Sequence, residues 1–91
     1  MNTISEKKLL KYFSVSQEAY EMAKKHVANK EKGEDFLDMI DRYIRDAKHF
    51  YEKDDFVNAF AALNYAHGWL DAGARSGIFD VHDSRLFTVD D

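Results

Sequence analysis

The chain contains no cysteine and no proline, and only four glycines. Without cysteine, disulfides and thiolate chemistry are excluded. That composition fits a reducing compartment, so the expected location is the cytoplasm. Without proline, nothing forces a helix to break from within. Residues 1–11 hold neither an extended apolar run nor a small-residue cleavage site, so no signal peptide is expected. The longest uncharged stretch is 56–70, and it includes Asn58, Asn64 and His67. A membrane span needs about 20 apolar residues, so no membrane partner is expected. A basic stripe is also missing. The net charge is −4, and Lys7, Lys8, Lys11, Lys24 and Lys25 are offset by nearby glutamates. A nucleic-acid binder needs clustered cations to displace counterions from phosphates, so no nucleic-acid partner is expected.

What is present is ordinary globular material. Ninety-one residues make one domain, which buries only about 60–65% of its unfolded surface. Seven Phe, five Tyr and one Trp argue against disorder throughout. The apolar residues repeat at helical spacing in three segments, which predicts an all-α fold: an antiparallel three-helix bundle with a short extended C-terminal tail packed on it.

The first segment opens on Thr3-Ile4-Ser5-Glu6. This is a capping-box pattern, in which the Thr3 hydroxyl accepts from the Glu6 amide and the Glu6 carboxylate reaches back. Leu9, Tyr12, Phe13, Ala19, Tyr20, Ala23 and Val27 then share a face, with Ser16 among them. The run 29–33 reads as a stop, with Gly33 in the left-handed conformation, and a helix is expected over about 3–30. The second segment, about 35–53, starts near Asp35. It places Phe36, Met39, Ile40, Tyr43, Ile44, Ala47, Phe50 and Tyr51 within an arc of about 140°. Asp54 suits a left-handed stop, and Asp55 suits an N-cap with Asn58 three residues on. So short a connection makes antiparallel neighbours. The third helix is expected over about 55–76, with Gly77 as its C′ residue and Ile78 folding back in a Schellman stop.

The third segment is apolar around most of its circumference. Phe56, Ala59, Phe60, Leu63, Ala66, Leu70 and Ala74 make the core stripe, and Val57, Ala61, Ala62, Trp69 and Ala72 widen it. Two companion helices cannot cover all of that, so the tail, a second copy of the chain or a partner must. Ala47, Ala59, Ala62 and Ala66 allow the second and third helices to approach closely. The tail, 77–91, offers Ile78, Phe79, Val81, Leu86, Phe87 and Val89. Full burial of those six is worth ~9–18 kcal/mol before ordering costs. Docking is expected for 78–81, with fraying or packing on a neighbour beyond Ser84.

The hairpin carries a family resemblance. Tyr43-Ile44-Arg45-Asp46-Ala47, then 50–59 from Phe50 to Ala59, then Asn64-Tyr65-Ala66-His67-Gly68-Trp69-Leu70-Asp71-Ala72, resemble the archaeal family known as domain of unknown function 357. The resemblance covers nearly all of the chain and implies an archaeal source and a helical bundle. It carries over no catalytic residue. Family members typically have Gly where this chain has Asp54, and Gly enters the left-handed region at lower cost.

Candidate sites are few. Asn64, His67 and Asp71 fall near one another on the third segment, with His67 close to the middle of the apolar stripe. They are either an imidazole base oriented by Asp71 or a satisfied buried histidine. Arg42 and His49 share one face of the second segment, a spacing that also occurs in some helical-bundle ribonucleases, though in their last helix. Asp80, His82 and Asp83 offer loose cation ligands. The histidines at 26, 49, 67 and 82 match no zinc spacing. No catalytic residue, metal or cofactor is assigned. The function expected is a non-catalytic, self-associating or protein-binding helical module, with a homo-oligomer or an unidentified protein as partner. Its candidate interface is Ala62, Tyr65, Trp69, Ile78, Phe79, Leu86 and Phe87. The alternative is a small nuclease or hydrolase using His67 with Asp71, or Arg42 with His49.

Overall fold

The computed structural model describes residues 3–88. Three α-helices follow one another: α1 (Glu6–Lys25), α2 (Lys30–Glu52) and α3 (Phe56–Arg75). They run up, down and up. Leu9 meets Ala47, Ala59, Ala62 and Leu63 at one end of the core. Ala19 and Ala23 meet Ile40, Ile44, Ala66 and Leu70 at the other. The α2–α3 interface is the most extensive of the three. Ala47, Ala59 and Ala66 are fully buried there and Ala62 nearly so. Small side chains at these points keep the two axes close, as expected from the sequence.

The α2–α3 turn forms as the sequence predicts. Asp54 is left-handed (φ 60°). Asp55 caps α3, accepting from the Asn58 amide at 3.2 Å and from the Asn58 side chain at 2.7 Å. At the other end Gly77 takes φ 81°. The Ile78 amide donates to the Gly73 carbonyl at 2.9 Å and the Gly77 amide to Ala74 at 3.3 Å, which is the Schellman pair of bonds.

The first connection differs from the expectation. The N-cap of α1 is Ser5, whose hydroxyl accepts from Lys8 at 3.2 Å. Glu6 is thus freed from a Thr3 box and accepts the Tyr51 hydroxyl at 2.6 Å, tying the start of α1 to the end of α2. α1 stops at Lys25, and α2 begins at Lys30 under an Asn29 cap that accepts from Lys32 at 3.1 Å. Gly33 is therefore not a left-handed stop but a buried residue of the first turns of α2. Its role is steric: a Cβ there would lie 2.5 Å from Val27 Cγ1.

The residues between α1 and α2 pair with the tail. Val27 and Phe79 form an antiparallel bridge. The Asp80 amide donates to the His26 carbonyl at 2.7 Å, and the Ala28 amide donates to the Ile78 carbonyl at 2.8 Å. This pairing drives Phe79 into the core, where only 1% of it remains exposed. Phe36 packs edge-on to it at 6.3 Å. Gly73 of α3 makes the room, since a Cβ there would fall 2.4 Å from the Phe79 ring. Leu86 and Phe87 are buried as well, so among the described residues beyond Ser84 these two pack on the chain's own bundle. Val89 lies outside the described residues.

Candidate functional site

Three polar residues at helical spacing on α3 hold the tail in place. His67 Nε2 donates to the Leu86 carbonyl at 2.6 Å. Asp71 Oδ1 accepts from the Thr88 amide at 2.8 Å. Arg75 Nη1 donates to the Thr88 carbonyl at 3.2 Å. The contact with a carbonyl requires that Nε2 carry the proton. The tail meets this clasp with a tight turn of its own. The Leu86 and Phe87 amides donate to the Asp83 carbonyl at 3.0 and 2.9 Å. The Asp83 carboxylate accepts from the Arg85 amide at 3.0 Å and from its guanidinium at 2.7 Å. Those bonds from Arg85 hold the Asp83 carboxyl below its usual range, and the same contact pushes the Arg85 guanidinium up. Glu18 of α1 lies 3.6 Å from that guanidinium.

The polar cluster read from the sequence is therefore mostly a fastening. His67 and Asp71 come within 3.9 Å of each other, but each is committed to tail backbone. Asn64 stands exposed one turn away. On α2, Arg42 pairs with Asp38 at 3.1 Å, and His49 is exposed beside Phe50. His82 and Asp80 pair at 3.0 Å, while Asp83 is bound to Arg85. Among the described residues no group of three or more His, Cys, Asp or Glu side chains gathers to hold a metal.

The seven interface candidates also separate. Ile78, Phe79, Leu86 and Phe87 are buried in their own core, and Ala62 packs between the helices. None of these five is available to a partner. The tail thus supplies part of the cover that α3 needs, over Leu70 and Gly73. It leaves the opposite flank bare. Tyr65 is 63% exposed and Val57 57%. Tyr65 lies stacked on Tyr43 at 5.3 Å, and Trp69 leans edge-on against Phe36 at 4.8 Å. Each aromatic is pinned by α2 on one side and open on the other. With Ala61, Asn64, Gly68 and Ala72 they line an open, mostly apolar groove of about 570 Å³ along α3.

Gly68 sits at the middle of that groove. A Cβ added there would meet no atom within 4 Å. The two other helical glycines leave room for Val27 and Phe79; Gly68 leaves room for nothing among the described residues. Sequence reasoning found Tyr65, Trp69, Ala61 and Ala72, but passed over Gly68. A glycine in the middle of a helix with no turn to make was the available signal.

The fold and surface define an up-down-up helical bundle whose C-terminal strap is clasped to its third helix. Within that class the chain belongs to the family described as Protein of unknown function (DUF357), whose model matches residues 7–79. The match takes in all three helices and ends at Phe79, so the clasped turn lies beyond it. No curated protein and no solved structure matches this chain significantly. Among the described residues no helix is long and apolar enough to cross a membrane.

Proposed function

We propose that this protein is a non-catalytic interaction module that docks another α-helix on the outward face of α3. The observation that carries the reading is Gly68. A mid-helix glycine costs ~0.5–1 kcal/mol relative to alanine, and no contact among the described residues accounts for it. A helix laid along the groove does, because small residues let two helix axes approach toward the near end of the ~8–10 Å packing range. The chemistry of the occupant follows from the lining. The stretch 56–70 carries no formal charge, so the partner presents an uncharged face. Tyr65 and Trp69 suit the role of anchors, being half-open aromatics already held in place by α2. A docked helix would cover what the tail leaves bare.

The test is the size of the native species in the cells that make the protein. Tagged at its own locus, the chain should migrate well above its 10.6 kDa. Tyr65→Glu should return it to the size of a single chain, while Leu10→Glu, placed on a separate exposed apolar residue, should not. A wild-type chain that migrates as a monomer in its own cells overturns the reading.

A further inference from the structure

Resting on that docking face, we infer that the helix it takes is α3 of a second copy, laid antiparallel with Tyr65 of each chain over Gly68 of the other. The register comes from the sequence of the seam. Asn58, Ala61, Tyr65, Gly68, Ala72 and Arg75 recur at alternating spacings of three and four, the pattern that keeps one side of a helix facing a partner. The seam is self-complementary when one copy is reversed about a point midway between Tyr65 and Gly68. Tyr65 then meets the partner's Gly68, Ala61 meets the partner's Ala72, and Asn58 meets the partner's Arg75.

Size matches along its length. The one large exposed ring lies opposite the one position without a side chain, and that position has open space above it. Charge matches at the ends. Arg75 closes α3 and keeps its positive charge while it donates to the Thr88 carbonyl, and Asp54 and Asp55 precede the helix, so each positive end lies near the partner's acidic end. Antiparallel helix dipoles add to the match. A parallel pair would set Tyr65 against Tyr65 and Arg75 against Arg75, a steric and a like-charge conflict. An isologous contact of this kind closes on itself as a dimer. One helix seam is smaller than the standard interface of about 1,600 Å², so the dimer is weak, in the micromolar range or above.

The test uses the purified full chain. Sedimentation equilibrium from low micromolar to near-millimolar concentration should show a reversible approach to twice 10.6 kDa. Gly68→Leu, which has open space in the monomer, should weaken association at least tenfold, and Leu10→Glu should leave it unchanged. The chain has no cysteine, so register can be read directly. Ala61→Cys mixed with Ala72→Cys should oxidise to a crosslinked pair faster than either variant alone. A purified chain that stays monomeric, while its native species in cells is larger, overturns the second copy and leaves the docking face standing. A dimer in which Ala61→Cys crosslinks best to itself overturns the antiparallel register.

Discussion

Gly68 and Gly73 lie on the same helix, and replacing each with alanine should move stability in opposite directions. Both substitutions add one methyl and remove the backbone freedom that glycine carries in the unfolded chain, a gain of ~0.5–1 kcal/mol in a helix. At Gly68 the methyl meets nothing within 4 Å, so the gain stands. With ~4–8 °C per kcal/mol for a domain of this size, the melting temperature should rise by roughly 2–8 °C. At Gly73 the methyl would sit 2.4 and 2.5 Å from two carbons of the Phe79 ring and 3.3 Å from Phe36. The ring is rigid and buried, so it cannot swing a free end aside. Forcing a methyl into a packed core costs ~1–3 kcal/mol. The gain at Gly73 is also reduced, because it lies in the last turn of α3, where its carbonyl serves Ile78 and Phe79. The net should be a loss of ~1–2 kcal/mol. Thermal and urea unfolding at sub-micromolar concentration, below the range proposed for association, would measure both. If the two alanine variants are equally stabilised, Phe79 is not seated on α3 as described. If both are destabilised, the groove at Gly68 is not open.

The clasp makes two further predictions. His67→Ala and Asp71→Ala each remove a bond to the tail, worth ~0.5–1.5 kcal/mol. Limited proteolysis should then cut near 82–88 faster, while helix content by circular dichroism is unchanged; equal cutting rates would show that the clasp contributes nothing. Acid should loosen the same turn. The Asp83 carboxyl is held below its ordinary value by Arg85, so the stabilisation is fully present above that ordinary value. It is lost as pH falls through the lowered folded-state pKa. Proteolysis of the tail should quicken across that acid window in the wild type, and Asp83→Asn should cut fast at every pH with no such step. A wild-type profile as flat as that of Asp83→Asn would refute the assignment.

The periodic segments were legible because one face of each is buried: Ile40, Ile44, Ala59, Leu63 and Leu70 recur at helical spacing and all lie in the core. Stops with a local cause were legible too. Asp54, Asp55 and Gly77 act through their own backbone and a neighbour three residues away. The break between α1 and α2 has no local cause. His26, Val27 and Ala28 lie outside the helices and pair with residues 78–80, far along the chain. A single sequence gives no view of that partner, so Gly33 passed for a stop when its real constraint is contact with Val27. The polar cluster failed in a related way. His67 and Asp71 were placed together correctly on α3, but the groups they bind are backbone atoms of 86–88, which no spacing pattern records.

The tail bears on how association should be interpreted. Among the described residues its buried apolar side chains, Ile78, Phe79, Val81, Leu86 and Phe87, contribute roughly 7–15 kcal/mol of transfer free energy, against an ordering cost of the same order. So narrow a margin makes the polar clasp decisive for keeping the strap down. A chain with a loosened strap exposes a second apolar surface, over Leu70 and Gly73, and that surface will also associate. The two kinds of association differ in their chemistry. Contact through the outward face depends on Gly68 and Tyr65 and stops at a pair. Contact through an unstrapped core has no fixed register, does not need Gly68, and grows with acid as Asp83 is protonated. Asp71→Ala should therefore broaden the mass distribution without changing which cysteine pairs crosslink, whereas Gly68→Leu should weaken the pair at least tenfold and leave the strap closed. If Asp71→Ala and Gly68→Leu act alike, the outward face and the strap are one surface, and the separation drawn between them along α3 is wrong.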